Sequence, residues 1–456
     1  MPVEPSQPSP GVTTATTRPT IASRAAALIA LRGAPGWNVR ALALRLVLAA
    51  IYICGWSALS LIHLQTSDLE RFYIPAALVA LRGQPLFIYS ASHLHSYPLA
   101  NGPLSIAPLV LALAIASGLG WLRSVALTRL TVMAIYSVFP LLLAREAVHT
   151  IDRHAPEPLR GARRLLIYEI FAISLQLWQS MLYYGHVEQP MMLWLALMAI
   201  RALGEDKPRR AGALLGLALL TRTTALTVII PVGVLLLARR HWRSLRWVAV
   251  ALSMVVAGGL LPFALADGRD LLYSLVTFHN SVPVNGGNLW TLVGGAPLTQ
   301  LAQRADGVIV LAATTLAATL VVWRRPDLRV TSRDFYGALA LGALCHPAFI
   351  NILWPYYFLE AYTFLMIWRL AALGELAHKA TRWRWLLWLA APLGVTMLGQ
   401  ARQFALAREA ATASITAPDV VAWGWLTCLA LAALLVALAW RLMRQPAPSE
   451  GAMASV

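Results

Sequence analysis

Five separated stretches of this chain set ionisable or hydrogen-bonding side chains against long apolar runs. They are Asp68, Glu70 and Arg71 in SDLERFYIP, His186 and Glu188 in YYGHVEQP, Arg222 in LLTRTTA, His279 and Asn280 in FHNSVPVNGGNLW, and His346, Tyr356, Tyr357 and Glu360 in CHPAFINILWPYYFLEAY. A carboxylate can take the proton of an attacking hydroxyl. A guanidinium can grip a phosphate and hold the charge that develops on it as it leaves. Aromatic faces can stack on a sugar ring or an isoprene unit. Two carboxylates and a cation at membrane level therefore suit a reaction on an amphipathic, phosphate-bearing molecule. Each residue also has a purely structural role open to it. Asp68 can cap the helix that follows. Glu188 can pair with His186, Arg222 can snorkel to headgroups, the aromatic residues near 354–357 can form an interfacial belt, and His346 can be satisfied at a helix end. The chemistry needs all of them on one face.

The elements that must position them are apolar. Of 456 residues, 59% are hydrophobic and only 12% charged, against about a quarter charged in a soluble domain, so the expected class is an all-α polytopic membrane protein. The net charge of +17 does not form one nucleic-acid-binding stripe. It falls in short clusters between apolar runs, at Arg160/Arg163/Arg164, Lys207/Arg209/Arg210, Arg239/Arg240/Arg243/Arg246, Arg324/Arg325/Arg329/Arg333, Lys379/Arg382/Arg384 and Arg441/Arg444. This is how cytoplasmic loops read under the positive-inside rule, and no nucleic-acid partner is expected. Cys54, Cys345 and Cys428 lie singly within apolar runs, without metal or disulfide spacing.

A crossing needs ~20 apolar residues. Candidate crossings lie near 41–64, 104–120, 121–147, 164–184, 188–203, 211–238, 246–265, 306–323, 334–350, 354–373, 383–399 and 420–441. With residues 1–40 a disordered cytoplasmic segment and 41–64 an uncleaved anchor, 65–120 forms the first outer loop. Only an odd number of crossings can then reach the basic cluster at 153–164. The run 104–120, with a proline, glycines and no basic anchor, is expected to lie along or dip into the outer face. The run 211–238 begins and ends among basic residues, so it should be two short helices meeting near Thr221–Thr224. About twelve crossings result within a domain spanning 41–441, followed by a cytoplasmic tail at 442–456. The outer segments become 65–120, 184–189, 221–224, 266–305, 347–355 and 400–419, and all five chemical stretches fall on or beside them. The chain has no Walker loop and no GxGxxG following a strand, so either the protein is not an enzyme or its reaction draws on energy that a nucleotide is not expected to supply. A donor already activated on a lipid would supply it.

These residues resemble the GT-C superfamily of integral-membrane glycosyltransferases. The resemblance lies in Asp68, Tyr73, Pro75, Ala76, Gly83 and Tyr89 after the first span, in NGPL at 101–104, and in GHVEQP followed by RRAGALLGLALLTRTTAL. It covers roughly residues 41–365 and is nearest to polyprenol-phosphate-mannose-dependent mannosyltransferases and related bacterial proteins. The resemblance implies a membrane fold whose first outer loop carries juxtamembrane helices. It also implies inverting transfer of one sugar, mannose being a candidate, from a polyprenyl monophosphate to a glycan, glycolipid or protein acceptor outside the plasma membrane. Asp68 matches the catalytic base. Glu188, with His186, matches the second acidic position that orients substrate. Arg222 stands where relatives often carry a lysine on the carrier phosphate, Tyr73 belongs to the first-loop motif, and His346, Tyr356 and Tyr357 would contact phosphate or lipid. Neither loop carries a paired DxD, so no divalent metal or other cofactor is expected. A flippase for lipid-linked sugars would instead show two matching halves, and a polysaccharide ligase or polymerase a late outer loop richer in arginine. The late loop at 266–305 holds only Arg269 and Arg304.

Overall fold

The structure is a computed structural model that describes residues 39, 42–51, 54, 68–94, 97–155, 161–178, 180–181, 184–278, 287–293, 296–372, 390–402, 405 and 418–444. The expected N-terminal segment, most of the tail, and His279 and Asn280 lie outside the described residues. Leu- and Ala-rich apolar runs satisfy their backbone groups internally as helices, and the described residues contain helices and turns without a β-strand. The longer helices are α1 (Leu42–Ile51), α2 (Ile74–Leu81), α3 (Ala107–Gly118), α4 (Val125–Tyr136), α5 (Val138–His154), α6 (Gly161–Ala172), α7 (Gln189–Gly204) and α8 (Pro208–Thr221). They continue with α9 (Leu226–Ala238), α10 (Trp242–Leu272), α11 (Ala296–Arg324), α12 (Arg333–Phe349), α13 (Leu359–Leu370), α14 (390–402) and α15 (Pro418–Arg444). Prolines open α2, α3, α7 and α8, where a missing N–H costs nothing.

Among the described residues four stretches are long and apolar enough to cross a membrane: Val125–His154, Trp242–Thr277, Gln300–Arg324 and Pro418–Arg444. Other expected crossings are shorter. α7 has 16 residues, α8 14, α9 13, α12 17 and α13 12. Their lengths are cut at one end by the polar and proline-bearing turns that hold the chemical residues. The run expected to lie along the surface contains α3, whose 12 residues extend only about 18 Å. It packs on α2 and α4 through Leu109, Ala112, Leu113 and Ala116.

The run 211–238 does break as expected. α8 stops at Thr221, Arg222 is extended, Thr223–Ala225 form a single 3-10 turn, and α9 follows. Gly212 lies against the backbone of Val248, Gly216 against Val255, and Leu220 against Gly259, so α8 and α10 run parallel. α9 returns between them in sequence. A Cβ at Gly212 would collide with the carbonyl of Val248, so the RRAGALLG stretch of the resemblance is a helix-packing seam. This up-down-up path collects basic residues at one end of the bundle. Arg239 donates to the carbonyls of Val322, Arg325 and Leu328, Gly204 faces Thr331, and Arg153 pairs with Glu205. Arg222 caps the opposite end.

Candidate functional site

Asp68 stands at the start of a π-helical turn, Leu69–Tyr73, that runs into α2, and its N–H donates to the carbonyl of Tyr184 at 3.1 Å. The wide turn carries Asp68 and Tyr73, five residues apart, to the same histidine. His186 Nε2 lies 2.9 Å from Asp68 Oδ2, and its Nδ1 lies 3.0 Å from the Tyr73 hydroxyl. The Tyr73 hydroxyl accepts from Asn101 Nδ2 at 2.5 Å, and the Asn101 carbonyl accepts from Tyr89 at 2.8 Å. Gly102 fixes this loop, because a Cβ there would collide with the backbone of Leu220, two residues before Arg222. Tyr73, Tyr89 and the NGPL stretch thus form one support around His186.

Glu188 precedes the first turn of α7 and is fully buried. Its Oε1 lies 3.1 Å from His186 Nδ1 and also accepts from Arg222 Nη1. Arg222 Nη1 is 2.9 Å from His186 Nδ1, and its Nε donates to Thr224 Oγ1 at 3.2 Å. Glu360, at the start of α13, closes the far side. It lies 3.7 Å from Arg222 Nε and accepts from Thr224 and Gln189, both at 2.9 Å. The Tyr356 ring stacks on His186, with centroids 3.9 Å apart, and lies 5.6 Å beneath the Arg222 guanidinium. Tyr357 meets Tyr356 edge-on at 4.5 Å, and His346 meets Tyr357 at 4.5 Å.

The expected residues therefore meet in two layers. Asp68, Tyr73, His186, Glu188, Arg222 and Tyr356 touch one another, while Tyr357 and His346 stand behind Tyr356. Arg222, which resemblance gave to a phosphate, is enclosed here by Glu188, Thr224 and Glu360 at 4% exposure. Glu70 serves elsewhere, bound to Arg129 at 2.5 Å. Sequence reasoning missed Asn101, Gln189, Thr224 and Tyr184 and gave Glu360 no role. A buried Gln directly after Glu188 and an Asn before Gly102 were the available signals, but uncharged amides carry no warning in a sequence.

The hydrogen bonds fix a proton arrangement. Arg222 points a donor at Nδ1, so the neutral imidazole carries its proton on Nε2 and donates it to Asp68, while a second proton would sit on Nδ1 facing Glu188. Burial opposes a second proton on His186. The Glu188 charge and the bonds to Asp68 and Glu188 outweigh burial and raise its pKa above the usual imidazole value. Burial likewise opposes a charge on Glu188, and His186 and Arg222 together hold its carboxyl below the usual range. Asp68 is the accessible member, its side chain 28% exposed while that of His186 is 8% exposed. The buried Oε2 atoms of Glu188 and Glu360 have no hydrogen-bond partner among the described residues, so each can still accept a bond. No group of three or more His, Cys, Asp or Glu suited to a metal occurs among the described residues.

Comparison with known proteins gives no match to a protein-family model, to a curated protein or to a solved structure. The chemistry of the site therefore has to be read from its own geometry.

Proposed function

We propose that the protein transfers a sugar from a polyprenyl-monophosphate donor to an acceptor hydroxyl, with inversion and with Asp68 as general base. The observation that carries this reading is the Asp68–His186 pair: an accessible carboxylate held by a buried imidazole, itself fixed by Tyr73, Glu188 and Arg222. Asp68 takes the acceptor proton as the acceptor oxygen bonds to the anomeric carbon. The bond from that carbon to phosphate breaks, and its electron pair leaves with the polyprenyl phosphate. His186 Nε2–H holds the Asp68 carboxyl group through the transfer, and Asp68 returns the proton to water. The open acceptor positions on Glu188 and Glu360 suit polar hydrogens of a substrate or bound water. Arg222 is paired with both of those carboxylates, so in this reading it positions His186 and leaves the phosphate to another cation.

The positive-inside pattern orients the chain. The basic end faces the cytoplasm with both termini, and the Asp68 end faces outward at headgroup level, within a polytopic bundle of about twelve crossings. Incubating the purified protein with a panel of polyprenyl-phosphate sugars, followed by mass analysis of the lipid extract, tests the reaction. Asp68→Asn should reduce transfer by ~10²- to 10⁴-fold while carrier binding persists. Undiminished transfer by D68N would remove Asp68 as the base.

A further inference from the structure

Arg402 lies in α14 and is only 3% exposed. Its Nε and Nη1 have no hydrogen-bond partner among the described residues. Three other buried arginines have partners for part or all of the guanidinium. Arg222 meets Glu188, Arg325 meets Asp327 and Asp334, and Arg45 donates to the Ala172 carbonyl. A buried guanidinium without an anion is costly, so the arrangement is incomplete as it stands.

Two glycines pack closely against this side chain, so no bulkier residue separates it from their backbones. A Cβ on Gly424 of α15 would lie 3.3 Å from Arg402 Nε, and one on Gly287 would lie 3.4 Å from its Cδ. Gly287 sits at φ +83°, a conformation that favours glycine. The next residue, Asn288, is fully buried and fastens the segment to the turn after α12 by donating to the Ile350 carbonyl. Arg402 is also linked to the candidate site. Gln400, two residues before it in α14, accepts from the Tyr184 hydroxyl at 3.0 Å, and the Tyr184 carbonyl holds the N–H of Asp68.

We infer that Arg402, between Gly287 and Gly424, is an anion-binding site that takes a phosphate group. A planar guanidinium fork matches two phosphate oxygens better than any other side chain, and phosphate supplies the charge that the pocket lacks. That this phosphate belongs to a lipid-linked sugar rests on the proposed function; that Arg402 binds a phosphate anion does not.

The test measures thermal stability of the full-length protein in detergent against inorganic phosphate and, separately, against a short-chain polyprenyl monophosphate. The wild type should be stabilised by at least one. A shift from both probes marks a general phosphate site, and a shift from the lipid alone marks a headgroup site. Arg402→Met should weaken the binding that causes the shift by ~10- to 100-fold and should melt no lower than wild type without ligand, because it removes an unmatched charge. Arg402→Lys should keep part of the shift, so that its loss in R402M reports the missing charge and not a misfolded site. Asp68→Asn should keep the shift in full. Retained binding with no sugar transfer by the wild type would defeat the glycosyltransferase reading and leave the phosphate site standing. An unchanged shift in R402M, or no shift from either probe in the wild type, would overturn the site. So would an R402M protein that is destabilised without ligand, since the chain itself would then supply the anion.

Discussion

At the basic end of the bundle Arg153 and Lys207 share Glu205 with side chains 44% and 54% exposed, whereas at the other end Arg222 meets Glu188 with neither more than 4% exposed. The chemical groups are alike, but the surroundings differ. A solvated pair gains little because water screens each charge, and it contributes about 0–1 kcal/mol. The exposed pairs can be rearranged cheaply and suit a surface that only has to stay wet and positive. The buried set has given up its water, and each member now depends on the others. Such an arrangement costs stability, and at this end it holds a histidine at a fixed distance from one accessible carboxylate.

The contrast breaks most visibly at Glu188. Replacing it with Gln leaves Arg222 buried without its main partner and should cost ~3–5 kcal/mol, seen as a large fall in melting temperature and loss of transfer. A Glu188→Leu/Arg222→Met/Glu360→Gln triple variant, which leaves neither Arg222 nor Glu360 as an unpaired charge, should recover much of that stability without recovering transfer. If E188Q melts like wild type, the buried network is not what holds this end together.

A smaller effect is expected at His186. His186→Gln loses bonds to charged groups and should cost ~1.5–3 kcal/mol, with a pH signature. Because the folded-state pKa is raised, the charged imidazole adds stability that is complete below its ordinary value near 6.5 and fades as pH climbs through the folded value. The stability gap between wild type and H186Q should therefore narrow with rising pH in a melting series. A gap that widens would reverse the assigned charge. The smallest effect belongs to the basic end. Arg153→Ala should change stability by less than about 1 kcal/mol, and added salt should reduce the difference further.

The sequence could be read furthest where charge and polarity alternate sharply. The break at Arg222 was required by basic residues on both sides of 211–238, and helix ends within a few residues of it followed. The convergence of Asp68, His186 and Glu188 was visible as a set of ionisable groups assigned to one face. Helix length was less visible, because Pro355–Phe358 form a 3-10 turn and α13 begins only at Leu359, inside a run that composition alone reads as continuous. Three-dimensional supports were hidden for a different reason. Asn101 and Gln189 look like ordinary polar residues until Tyr73 and Glu360 are seen to depend on them. Arg402, in GQARQFALAREA, reads as one basic residue among many. Only packing shows that its neighbours are glycines where a carboxylate would be expected.

The π-helical turn at Leu69–Tyr73 has a consequence for how this segment can change. Such a turn holds one residue more than an α-helix of the same span. Deleting any single residue within it would restore regular winding, swing Asp68 by about 100° around the axis, and leave α2 where it packs. The extra residue acts as a spacer in the reading frame of the fold. The number of residues in the turn is therefore as much a part of the site as Tyr73, which the turn carries to His186.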